Sequence, residues 1–163
     1  AKKGGRPNQF MLGPSPRNYF NELEKSSETG KFKILLQKYW LCAQVGMAFN
    51  LRKQREEGDK WVAADIAPPL KENAHFLRGL LFFREAETKG YSSDDEKDML
   101  DGMKSFFSDE RQHKLNDNGL DVIDRYASKG FEIIQERIPN PTDLSSFLVD
   151  YVNLILEADQ SSA

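Results

Sequence analysis

The sequence predicts an all-α protein, a single-domain helical bundle of five to six helices with short connections. Three observations predict it. Apolar residues recur at the three-and-four spacing of helices, capping signals punctuate those stretches, and no run alternates apolar and polar as a half-buried strand does. Apolar residues fill 39% of the 163 positions, with 11 Phe, which is too hydrophobic for disorder. Polar breaks interrupt the longest apolar runs, so no membrane span is expected. At this length folding buries roughly 70% of the surface of the unfolded chain, enough for one core.

Residues 1–15 hold three glycines, two prolines and no acid, and read as a basic flexible N-terminal arm. The helical domain is expected over 16–157, with 158–163 a disordered C-terminal tail. Ser15 can cap a first helix with Pro16 at its first position, placing Tyr19, Phe20 and Leu23 on one side before the break at Gly30. The most apolar stretch runs from Lys31 to about Glu57, with Phe32, Leu35, Leu36, Tyr39, Ala43, Gly46 and Met47 on one stripe and Ile34, Trp40, Leu41 and Val45 covering much of the rest. A helix apolar nearly all round is either the centre of the domain or shared with a second subunit, so a homo-oligomer is expected.

Gly58 stops that helix. Trp61, Val62 and Ile66 anchor a connector, and Pro68-Pro69 starts a third helix that runs to Lys89 and buries Phe76, Leu77, Leu80, Leu81 and Phe83, with Gly90 at its C-terminal cap. Ser93 and Glu96 match a capping box ahead of Met99, Leu100, Met103, Phe106 and Phe107. Asp117 opens a fifth helix with Leu120, Ile123, Ala127, Phe131, Ile134 and Ile138 on one face, and its interior Gly130 implies a close helix contact. Asn140 caps the last helix, with Pro141 in its first turn and Leu144, Phe147, Leu148, Tyr151, Val152 and Ile155 as its stripe.

Patterns that could carry chemistry are few. Glu72 with His75 and Glu110 with His113 have the i, i+3 spacing of di-iron bundles, but the helix over Lys31–Arg55 has no Asp or Glu to complete such a site, so both histidines read as surface residues. Asp65 with Glu87 and Lys89 resembles a nuclease carboxylate pattern, yet Glu87 and Lys89 fall in the last turn of a helix and read as a solvated end. Cys42 lies between Leu41 and Ala43 and reads as a core thiol. No glycine loop that cradles phosphate and no nucleophile elbow is present. The chain is therefore expected to be no enzyme, with no catalytic residue, no metal and no cofactor. One cysteine and no apolar leader point to a reducing cytoplasm.

Charge is the more specific clue. The net of −3 divides at Arg55 into +8, from eleven bases and three acids, and −11 over the remaining 108 residues. Lys2, Lys3, Arg6, Arg17, Lys31, Lys33, Arg52, Lys53 and Arg55 are the candidate nucleic-acid-binding residues, able to line a phosphate backbone. The alternative is that the basic third faces the acidic remainder within the fold or across a subunit boundary. Seven acids between Asp94 and Glu110 read as a solvated helix face, or as a dock for a basic partner, and Phe82 and Phe83 read as core.

Two segments carry a family likeness. Lys38-Tyr39-Trp40-Leu41-Cys42-Ala43-Gln44-Val45-Gly46-Met47-Ala48, followed by Arg52-Lys53, resembles the early helix of small helical proteins associated with bacterial DNA phosphorothioation (Dnd-type) defence systems. Asp124-Arg125-Tyr126-Ala127-Ser128-Lys129-Gly130-Phe131-Glu132-Ile133 is similar to their later Tyr-Ala-x-x-Gly segment. The likeness spans about residues 31–156. It implies a non-catalytic accessory protein of a prokaryotic DNA modification or defence assembly, contacting DNA or a DNA-bound partner through the basic third. The alternative is a self-associating interaction or scaffold subunit with no nucleic-acid role.

Overall fold

The computed structural model describes residues 9–32, 35–56, 60–61, 74–90, 96–108 and 115–161. The fold is all-α. Its helices are α1 (Pro14–Ser26), α2 (Leu35–Phe49), α3 (Ala74–Lys89), α4 (Glu96–Phe106), α5 (Asp117–Arg137) and α6 (Leu144–Ser161). The only β structure among the described residues is a two-residue antiparallel ladder, β1 (Met11–Leu12) on β2 (Lys60–Trp61), and an isolated bridge between Phe107 and Leu115. The connector beyond Trp61, the Pro68-Pro69 helix start and Ser93 of the capping box lie outside the described residues.

The apolar girth of α2 has the first of its two predicted explanations. It is the central helix, packed mainly on α5 and also touching α6 and α3. Tyr39, Cys42, Ala43, Val45 and Met47 are fully buried. The crossing with α5 is built on glycine, as Gly130 led one to expect. A Cβ at Gly130 would overlap the carbonyl oxygen of Cys42 and stand 2.7 Å from the amide nitrogen of Gly46, and one at Gly46 would stand 2.6 Å from the carbonyl carbon of Tyr126. Only a hydrogen at these Cα positions lets the two backbones touch. All six predicted apolar positions of α5 are buried.

Helix ends differ from expectation, at α2 because the chain caps itself early and at α1 and α6 because tertiary groups supply the caps. α2 stops at Phe49, not Glu57. Asn50 turns left-handed (φ 53°), its N–H donates to the Met47 carbonyl (3.1 Å), and the Leu51 N–H donates to Gly46 (3.0 Å), which together form a Schellman cap. Ser15 is not the N-cap of α1. Its amide and hydroxyl instead donate to the two carboxylate oxygens of Glu56 (2.8 and 3.0 Å), so a residue 41 positions away caps this helix. Asn140 does not cap α6 either, since the helix begins at Leu144. The Leu144 and Ser145 amides donate to the hydroxyls of Ser27 and Thr29, while the Asp143 carboxylate accepts from the Glu28 and Thr29 amides. Asn116 caps α5 as its side chain accepts from Gly119 (2.9 Å), and the same amide group donates to Ser105 at the end of α4. Gly90 follows α3 with φ 72°, the glycine-favouring conformation expected there.

Both terminal boundaries shift outward. Residues 9–15, assigned to the arm, join the fold: Phe10 is fully buried, with its ring 5.0 Å from Tyr39 and 5.2 Å from Trp40. At the other end α6 continues to Ser161 with Ala158 buried, so the tail does not begin at 158. Aromatic rings do much of the filling. Tyr19, Phe20, Phe32 and Phe147 meet edge-on at 5.2–6.5 Å, joining α1 to α6.

Candidate functional site

After Asn50 the chain reverses and lies along α5, where the Lys53 amide donates to the Arg125 carbonyl (3.1 Å). This places the basic run 52–55 directly over acids of the second half. Arg52 Nη1 meets Glu85 Oε1 at 2.7 Å, Lys53 Nζ meets Glu132 Oε2 at 3.4 Å, and Arg55 Nη1 meets Asp124 Oδ2 at 3.4 Å. All three pairs cross the +8/−11 division. For these residues the basic third faces the acidic remainder of its own chain.

Two of the acids are buried and further satisfied. Asp124 Oδ1 accepts from the Tyr39 hydroxyl (2.5 Å) and the Met11 amide (3.2 Å), so one carboxylate joins β1, α2, α5 and the 52–55 run. Arg55 also reaches the Met11 sulfur. Glu85 accepts from the Tyr126 hydroxyl (2.9 Å), and the Arg52 guanidinium stands 5.8 Å over the Tyr126 ring. Burial, then the hydrogen bond and charge of Glu85, push the Tyr126 hydroxyl well above its ordinary pKa. Glu132 also pairs with Lys129 (3.2 Å), and that hydrogen bond foremost, with Lys53 adding to it, holds its carboxyl below the usual range. Burying a carboxylate costs several kcal/mol unless opposite charge and donors surround it, and these positions meet that requirement.

Of the nine nominated residues, the structure sets Arg52, Lys53 and Arg55 in ion pairs within the chain, with Arg52 and Lys53 still exposed and Arg55 half-buried. Arg17 is half-buried on α1 and Lys31 is exposed. Lys2, Lys3, Arg6 and Lys33 lie outside the described residues. Another base of the first third, Lys38, is buried against Glu24 (2.7 Å).

The enzyme-like patterns fare as follows. Cys42 is completely buried, and burial pushes its thiol far above the ordinary value, away from thiolate chemistry. Glu87 is taken by Arg84 (2.9 Å), and Lys89 lies 4.8 Å over the Phe106 ring. Asp65, Glu72, Glu110, His113 and the His75 side chain lie outside the described residues. Among the described residues no three His, Cys, Asp or Glu side chains converge as metal ligands. A cleft of about 120 Å³ opens between the start of α1 and α5, but its ionic groups answer one another, Lys53 to Glu132 and Glu56 to Ser15.

The remaining surface feature was not foreseen. Leu148 and Val152, assigned to the core stripe of α6, are 39% and 54% exposed, and Val149 and Leu156 beside them are 62% and 53% exposed. The buried side of α6 is instead Phe147, Tyr151, Leu154 and Ala158. Leu100 and Met103 of α4 and Phe83 of α3, also expected inside, stand exposed as well. The acids Glu96, Asp98 and Asp101 of α4 are solvated, as the simpler reading of that run held. No helix of the described residues is long and apolar enough to cross a membrane.

Sequence reasoning missed Asp124, Glu85, Glu56 and Asp143. For two of them a signal was present: Asp124 stands four residues after Leu120 and three before Ala127, and Glu85 four after Leu81, so both are acids on an apolar face. Comparison with known proteins adds no relative to this picture, for no family model matches the chain, and no curated protein or solved structure does.

Proposed function

We propose that this chain is a non-catalytic accessory subunit that acts by binding other proteins, in the setting of a prokaryotic DNA modification or defence assembly in the cytoplasm. The observation that carries the reading is the apolar surface that α6 keeps after the core is filled. Contiguous exposed apolar patches of a few hundred Å² mark interaction sites in proteins of this size. The internal pairing of Arg52, Lys53 and Arg55 supports protein over phosphate as the partner of this chain. The defence setting is what the likeness of residues 38–48 and 124–133 implies.

A second reading, contact with DNA, is favoured by exposed Lys31. With Lys2, Lys3, Arg6 and Lys33 of the same basic third, it would give a grip on phosphate that is indifferent to base sequence and sensitive to salt. Co-expression with the products of neighbouring genes tests the first reading, and a stoichiometric complex is expected. A chain that stays uncomplexed with all of them overturns it. Fluorescence anisotropy against labelled duplex and single-stranded DNA at about 50 and about 200 mM salt tests the second. Tight binding that falls more than tenfold between the two salts, and is abolished when Lys2, Lys3, Arg6 and Lys31 are neutralised, would establish it in place of the first.

A further inference from the structure

We infer that the exposed face of α6 is a two-fold interface with a second copy of this chain, the two α6 helices lying antiparallel and crossing at Val152. The inference rests on the reading of the chain as a protein-binding subunit and names one partner for that surface. Three observations carry it.

The first is register. Ser145, Leu148, Val152, Ile155 and Asp159 follow one another at alternating three and four residues, the seam spacing of paired helices. With Val149 and Leu156 beside it, the stripe of positions 145, 148, 149, 152, 155, 156 and 159 is symmetric about Val152. Antiparallel pairing sets Leu148 against Leu156 of the second copy, Val149 against Ile155, Val152 against itself and Ser145 against Asp159. Isologous contacts require such self-complementarity, and the remaining partly buried residue, Ile155, continues the stripe into the core.

The second is charge. Asp150 and Glu157 lie about 160° and 140° around the helix from Val152, away from the seam. Glu157 is moreover held by Arg137. The first turn of α6 contains no acid and its last turn no base, so nothing within the helix itself offsets Asp159 at the negative end of its dipole. Antiparallel pairing brings Asp159 beside the first turn of the other α6, where the dipole is positive. Asp143, the acid nearest that end, points to Ser27, Glu28 and Thr29.

The third is area. α6 has 18 residues and is therefore about 27 Å long. Four aliphatic side chains at roughly half exposure supply on the order of 400 Å² of apolar surface per copy, about half of what a standard interface buries from one partner. An interface of that size belongs to the weak, transient class. Self-association was expected from α2, but α2 is covered within its own fold, and among the described helices α6 has the most exposed aliphatic side chains.

Sedimentation equilibrium of the full chain from about 1 to about 200 μM tests the inference. The mass should rise from 18.7 kDa towards twice that value. Val152→Asp should hold it at the monomer value with unchanged circular dichroism and melting temperature, whereas Leu100→Asp on α4 should leave the rise intact. Because the native Cys42 is buried, Val152→Cys should cross-link on mild oxidation and Leu148→Cys should not, a difference that excludes parallel pairing. A monomer at every concentration, or a dimer that survives Val152→Asp, overturns the inference. Failure of the underlying reading shows elsewhere, as the absence of any complex with neighbouring gene products.

Discussion

Gly130 on α5 lies directly on the carbonyl of Cys42 on α2, with no space between them for a methyl group. The facing Gly46 is equally closed, by the backbone of Tyr126. Gly130→Ala and Gly46→Ala should each destabilise the fold by about 3 kcal/mol or more, at or beyond the upper end of ordinary overpacking, because rigid backbone cannot yield as a side chain does. Gly79→Ala, where a Cβ meets nothing, should stabilise by about 0.5–1 kcal/mol. Urea titration of the three variants checks the ranking.

Arg55 and Arg52 neutralise carboxylates that water cannot reach. Arg55→Ala and Arg52→Ala should each cost about 2–4 kcal/mol, since each leaves a buried acid with hydroxyl donors but no counter-charge. Lys25→Ala breaks the exposed pair with Glu22 and should change stability by less than about 0.5 kcal/mol. Near-zero effects for Arg52 and Arg55 in thermal denaturation would mean that these bases are not held as described.

Stability should fall in acid. Hydrogen bonds from Thr29 first, then its amide and that of Glu28, hold the Asp143 carboxyl below the usual range, and Lys129 does the same for Glu132. A carboxyl with a depressed folded-state pKa contributes stability that is complete above its unfolded value, about 4, and is lost as pH falls through the lower folded value. The loss should therefore begin below about pH 5 and continue below pH 4. Asp143→Asn should flatten that part of the curve, measured as the urea midpoint from pH 7 to pH 3. An unchanged slope would show that Asp143 does not contribute to it.

Asn50 terminates α2 in a conformation that costs an ordinary residue about 1 kcal/mol. Asn50→Gly should leave stability unchanged or slightly raised, and Asn50→Ala should lower it by about 1 kcal/mol, readable as a shift of several degrees in melting temperature.

The α5 stripe, the apolar girth of α2, the glycine contact and the Gly90 stop were legible because each depends on neighbours within one or two turns. The starts of α1 and α6 were not, because Glu56, Ser27 and Thr29 act on helices distant in sequence. The split of charge at Arg55 was legible too, but its meaning was not: whether a base faces solvent or an acid depends on where the chain turns, and Asn50 turns it onto α5. Likewise the apolar spacing of α6 was visible, yet a stripe wider than its groove looks the same in sequence as one fully buried. Periodicity and capping chemistry are local, so the chain alone determined an all-α fold and left the place of α2, central or shared, open. Pairing between distant residues is decided by packing, so only the tertiary structure showed that Arg52, Lys53 and Arg55 pair with acids of their own chain and that α6 leaves Leu148, Val149, Val152 and Leu156 exposed.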